Sequence, residues 1–158
     1  MNGVKRQEIK KSFVHDFLGG CHCDVFATVT LKQADRNLLG QAHYLSGSDH
    51  LNTAWFIRDR LRKKLPNRSK PYTFLPFLEG ETEIKRYHLH ILTQKPVLMP
   101  FEEYAEKFRS VAMKATAVYN EIDIRPIVPG SYLQVLKYSL KTGVDAFLPE
   151  ASFLSISD

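Results

Sequence analysis

The sequence predicts an α+β domain in which an antiparallel βαββαβ sheet is covered by helices. Three observations predict it. Segments of strand composition and segments of helical periodicity follow one another as strand, helix, strand, strand, helix, strand, with a further helix at the end. The two middle strands are separated only by a short polar linker, the mark of an antiparallel hairpin. A length of 158 residues is that of one domain able to bury its own core.

Each element has its own warrant. Val4, Ile9, Phe13 and Phe17 recur near helical spacing between Val4 and Leu18, and Gly19-Gly20 supplies the stop. Val25 to Leu31 is β-branched and largely apolar, so it reads as a strand at the centre of a sheet. A loop containing Gly40 and Gly47 follows. Ser48 can then cap a helix whose Leu51, Trp55, Ile57, Leu61 and Leu65 face inward until Pro66, with Arg58, Arg60, Arg62 and Lys63 on the other side. Tyr72 to Glu79 and Tyr87 to Thr93 form the middle strands, joined through Gly80 to Arg86. Pro100 suits the first turn of a helix running to about Thr116, with Tyr104, Phe108, Val111 and Ala115 inside. Asn120 to Val128 is the fourth strand. After the break at Pro129-Gly130, Ser131 can cap a last helix in which Leu133, Leu136 and Leu140 recur up to Gly143. The order is that of the ferredoxin-like sheet, which the RRM shares, and it is too widespread to carry a function.

Composition narrows the class. Hydrophobic and charged fractions of 44% and 25% are those of a globular chain, which argues against wholesale disorder. No apolar run reaches eighteen residues and no apolar block follows the charged N-terminus, so the cytosol is the expected compartment and no membrane partner is expected. Cys21 and Cys23 stand one residue apart, poor spacing for a disulfide or a metal knuckle, and read as thiols. A net charge of +5 is compatible with a polyanionic partner without demanding one. His15, His22, His43 and His50 have no partner at useful spacing and read as surface or packing residues.

His88-Leu89-His90 lies within a strand, where alternation puts both imidazoles on one face. Two neutral imidazoles on one face can chelate a divalent ion, although an isolated pair is also an ordinary surface feature. The hairpin register brings Glu79 opposite His88 on the same face, and a carboxylate there completes a three-ligand set. Glu81 and Glu83 share its parity and compete with it; Glu79 is preferred because it ends the apolar strand. Nitrogen and oxygen donors without thiolates suit Mn²⁺ or Mg²⁺ holding a phosphate. On the last helix, Tyr138 and Lys141 stand three residues apart, so phenol and ammonium lie side by side. A phenol is a weak nucleophile at neutral pH unless a cation stabilises its anion, and Lys141 is placed to do so. Taken alone, a tyrosine and lysine at this spacing describe any amphipathic helix, so the pair gains weight only beside His88 and His90. Gln134, one turn earlier, is an auxiliary candidate for contact with the metal or a phosphate.

These segments resemble the HUH endonucleases, above all the nicking domains of rolling-circle replication initiators. Phe26-Ala27-Thr28-Val29-Thr30-Leu31 is similar to the family's first motif, Tyr87-His88-Leu89-His90-Ile91-Leu92 to the metal-binding motif, and Val135-Leu136-Lys137-Tyr138-Ser139-Leu140-Lys141 to the nucleophile motif. The resemblance implies that Tyr138 attacks a phosphodiester of single-stranded DNA, keeps the 5′ phosphate and releases a 3′ hydroxyl that primes replication. It also implies that metal on His88, His90 and Glu79 polarises the scissile phosphate. Thr142 occupies the place where a second tyrosine would sit, which suggests the one-tyrosine branch. No GxxxxGK[ST] loop is present, so a helicase is expected from another domain or protein.

The expected partner is single-stranded DNA at a replication origin, with an origin hairpin or duplex as a further contact. Lys32, Arg36, Lys85, Arg86 and Lys137 flank the motifs and are candidates for phosphate neutralisation. The basic side of the second helix, Arg58 to Lys64, is a candidate for duplex contact. A single-tyrosine transposase or a relaxase would use the same chemistry, although relaxases often take a third histidine where Glu79 stands here. A non-enzymatic RRM-like module shares the element order but lacks the aromatic sheet motif.

Overall fold

The computed structural model describes residues 14, 16–36, 39–66, 72–80, 87–141 and 146–154. The elements are β1 (Val25–Leu31), β2 (Ala34–Arg36), β3 (Ala42–Tyr44), α1 (Gly47–Lys64), β4 (Thr73–Glu79), β5 (His88–Thr93), α2 (Phe101–Ala112), β6 (Val118–Pro126), α3 (Tyr132–Ser139), a 3₁₀ turn (Pro149–Ala151) and β7 (Phe153–Leu154). β1, α1, β4, β5, α2 and β6 form the expected βαββαβ core. Sheet order is β6-β1-β5-β4-β7 with every pair antiparallel, the ferredoxin-like arrangement with a two-residue strand added at one edge.

Alternation along the strands divides the core in two. Val25, Ala27, Val29 and Leu31 of β1 with Leu89 and Ile91 of β5 face α1 and α2, where Ala54, Ile57, Leu61, Tyr104, Phe108 and Val111 complete a buried layer. On the other face Leu75, Phe77 and Leu92 pack under α3 through Leu136 and Leu140, with Val14 and Leu18 beside them. Each such side chain contributes about 1.5–3 kcal/mol on burial, which is why α3 is held down on this face. The Tyr132 hydroxyl adds a hydrogen bond to the Leu18 carbonyl at 2.5 Å. Gly130, at φ +88, makes the turn into α3 that a side chain would strain.

Several boundaries differ from expectation. α1 is capped by Ser46 rather than Ser48, because Asp49 stands three residues after Ser46 and accepts from both its N–H, at 2.7 Å, and its hydroxyl, at 3.0 Å. Trp55, expected inside, is 45% exposed with the Arg58 guanidinium over its ring; the buried stripe runs through His50, Ala54, Ile57 and Leu61. Leu133 and Phe17 are likewise exposed, while Leu18 takes the buried place expected of Phe17. The fourth strand begins and ends two residues earlier than expected, and α2 stops at Ala112. Residues Val4 to Phe13 of the first helix lie outside the described part. The β2–β3 hairpin replaces what the composition suggested was plain loop.

The basic side of α1 is partly committed to packing. Arg58 donates to the Ser152 carbonyl at 3.0 Å, and the Arg62 guanidinium lies 3.9 Å from the Phe153 ring centroid, so both hold the C-terminal segment against the helix. Both cysteines are free, and burial pushes the Cys23 thiol well up. Among the described residues no helix is long and apolar enough to cross a membrane.

His50 is a packing residue with a pH signature. Its ring is fully buried 4.6 Å from that of Tyr87, and among the described residues neither nitrogen has a hydrogen-bond partner. Burial lowers its pKa, with Asp49 opposing. The unfolded chain therefore takes up a proton near the free value of about 6.5 that the folded chain resists, so stability is lost as pH falls below that value. His50→Phe is expected to lose less stability than the parent between pH 7 and pH 5 in urea unfolding, and to be at least as stable at pH 7. An equal pH slope in the two proteins would show that His50 titrates freely.

Candidate active site

The site is built at one end of the α3-covered face. Thr28 of β1 pairs with His90 of β5, Phe77 of β4 pairs with His90 from the other side, and Glu79 pairs with His88. Directly opposed residues share a face, so His88, His90, Glu79 and Thr28 stand together as the hairpin register requires. Gly80 follows Glu79 directly, where a Cβ would meet the Tyr87 ring at 2.6 Å. From above, α3 buries Leu136, Ser139 and Leu140, which leaves Tyr138, 49% exposed, directed at the sheet.

Four side chains converge. His90 Nε2 lies 2.5 Å from Glu79 Oε2, and Lys141 Nζ lies 3.1 Å from Glu79 Oε1. The same ammonium sits 4.2 Å from the Tyr138 ring centroid. Its pKa is raised, first by the hydrogen bond to Glu79 and further by Tyr138. The Tyr138 ring meets His90 edge-on at 5.5 Å between centroids and Phe26 at 6.3 Å, and Phe26 stacks on His90 at 5.6 Å. Nucleophile candidate, cation, carboxylate and imidazole thus form one contiguous group.

Burial lowers the His90 pKa against the opposing pull of Glu79, a direction that favours the uncharged imidazole a metal ligand needs. His90 Nδ1 lies 3.3 Å from Thr28 Oγ1. A hydroxyl both donates and accepts, so Thr28 can support the tautomer that points a proton at Glu79 or the one that frees the Nε2 lone pair for an ion. Thr28 and Phe26 belong to the segment similar to the family's first motif, but the sequence alone assigns neither a place in the site. Their signal was the β1 alternation, legible once the β1 to β5 register is known.

Of the three candidate metal donors, Glu79 and His90 are in direct contact, whereas the His88 ring stands 6.4 Å from that of His90, half-exposed. Among the described residues no three His, Cys, Asp or Glu side chains draw together around one point. Two ligands of a hexacoordinate ion at about 2.1 Å lie about 3 Å apart, so a half-ångström opening of the Glu79 to His90 contact and a rotation of His88 would be required. The donor set fits a divalent cation in kind, with two of three members already side by side.

The remaining candidates are less centrally placed. Gln134 is exposed on the preceding turn of α3, and Lys137 is exposed on the same helix. Lys32 follows β1, its N–H donating to the Ala117 carbonyl at 2.8 Å. Arg36 is in β2 with its side chain outside the described part, and Glu81, Glu83, Lys85 and Arg86 lie outside the described residues altogether. Comparison with protein-family models, with curated proteins and with solved structures finds no match to this chain.

Proposed function

We propose that the chain is a divalent-metal-dependent DNA nicking domain with a single tyrosine nucleophile, of the HUH kind that initiates rolling-circle replication. The observation that supports it most is the placing of one ammonium, Lys141, on both the Tyr138 ring and the Glu79 carboxylate that holds His90. The substrate is single-stranded DNA at an origin, presented alone or in a hairpin, with strand separation supplied by another domain or protein.

In the reaction, Tyr138 Oη bonds to the scissile phosphorus and the P–O3′ bond breaks. The phenolic proton passes to water and the departing oxygen takes one up as a free 3′ hydroxyl, so one phosphodiester is exchanged for another. Lys141 opposes the negative charge that develops on the phenolic oxygen, and Phe26 and His90 keep the Tyr138 ring in place. Mn²⁺ or Mg²⁺ held by His90, Glu79 and His88 would supply positive charge against the scissile phosphate. Glu79 as the non-histidine ligand favours the replication-initiator branch over relaxases.

Incubation with pooled single-stranded oligonucleotides and Mn²⁺, read on a denaturing gel, tests the reading. The expected result is a protein band that carries a 3′-end label, is lost in EDTA, and leaves the 5′ label on a shorter strand. Binding of Mn²⁺ and DNA without any covalent band would favour a non-enzymatic nucleic-acid-binding module. Lys141→Met is expected to slow adduct formation about 10²-fold at unchanged DNA affinity. An unchanged rate would remove Lys141 from the chemistry.

A further inference from the structure

Among the described residues none of the β2–β3 hairpin belongs to either core layer, and its two strands form a sheet of their own. Three-residue strands are marginal by themselves, so the hairpin persists because its roots are tied down. The ties converge beside the site. Leu31 donates to the Tyr87 carbonyl at 2.9 Å on the outgoing side, and Leu45 closes the base by donating to the Gln33 carbonyl at 3.0 Å. On the returning side Ser46 caps α1, whose His50 packs on the Tyr87 ring. Tyr87 precedes His88, and Thr30 at the end of β1 pairs with His88, so the hairpin rises from the end of the sheet that carries the candidate site.

At the last position of β3, Tyr44 is 81% exposed. Lys32 lies at the root, and Tyr119, at the start of β6, lies just past the Ala117 carbonyl to which Lys32 is bonded. A ring outside the core with a cation at its base matches what a single nucleic-acid strand requires, since each unpaired base has a face to stack and each phosphate a charge to neutralise. A duplex hides its base faces. A protein partner calls for a broader apolar patch than the two large exposed apolar side chains, Leu39 and Tyr44, that the described part of this segment presents.

We propose that this hairpin is an arm that grips single-stranded DNA beside the site by stacking a base on Tyr44. The inference rests on the nicking reading but has its own test. Dye-labelled single strands, and the same sequence as duplex, are titrated by fluorescence anisotropy with the full chain, Tyr44→Ala and Tyr44→Phe. Tyr44→Ala is expected to weaken single-strand binding about five- to hundredfold, with Tyr44→Phe near the parent and duplex binding unmoved. The parent melting temperature is expected in both variants because Tyr44 lies outside the core. Parent-like binding by Tyr44→Ala, or an equal loss in Tyr44→Phe, would overturn the arm while leaving the nicking reading standing. A parent chain that neither binds single strands nor forms an adduct would overturn both.

Discussion

Tyr138→Phe is expected to abolish the covalent DNA adduct, by about 10³-fold or more in rate, while leaving the melting temperature within about 2 °C of the parent. The ring is half-exposed, and its near-perpendicular packing on Phe26 and His90 is one that a phenylalanine ring retains. What is removed is the phenolic oxygen, the proposed nucleophile. Mn²⁺ affinity is expected to stay at the parent value because the proposed donors, His88, His90 and Glu79, are on the strands below. An adduct formed by Tyr138→Phe at more than a tenth of the parent rate would place the nucleophile elsewhere.

The second large effect is expected at Glu79, because its buried carboxylate is both the partner of His90 and Lys141 and the proposed metal ligand. Glu79→Ala removes the partner of His90 Nε2 and of Lys141. A ring nitrogen left buried without a partner costs about 1–3 kcal/mol, which for a domain of this size lowers the melting temperature by roughly 3–10 °C. Mn²⁺ affinity is expected to fall about 10²-fold or more and the adduct to disappear, with a smaller loss of affinity in His88→Ala because His88 stands apart from the pair. Glu79→Gln separates the two roles, since an amide oxygen still accepts from His90 but carries no charge. It is expected to restore most of the stability and little of the metal affinity. Full recovery of Mn²⁺ binding in Glu79→Gln would mean that the carboxylate is not a ligand.

Much of this arrangement was legible in the sequence. The Glu79 to His88 register follows from strand alternation and a short linker, and the structure has that pairing. The three-residue spacing of Tyr138 and Lys141 placed them together on one helix. Which part of the sheet they meet was not readable, because it depends on how Leu136 and Leu140 seat α3 in the second core layer, a tertiary fact. Trp55 misled because its bulk outweighs that of Ala54, yet a small residue is what lets the helix approach the sheet. Ser48 misled because two serines compete and only Ser46 has an acid three residues on. The hairpin escaped because strands of three residues show too little alternation to register.

The most direct test of the central claim is mass spectrometry of protein incubated with randomised single strands and Mn²⁺, digested by nuclease and protease. A nucleotide mass is expected on the peptide containing Tyr138, localised to that side chain and absent in EDTA. The same mass on another residue, or no mass from protein that has bound both metal and DNA, would contradict that claim.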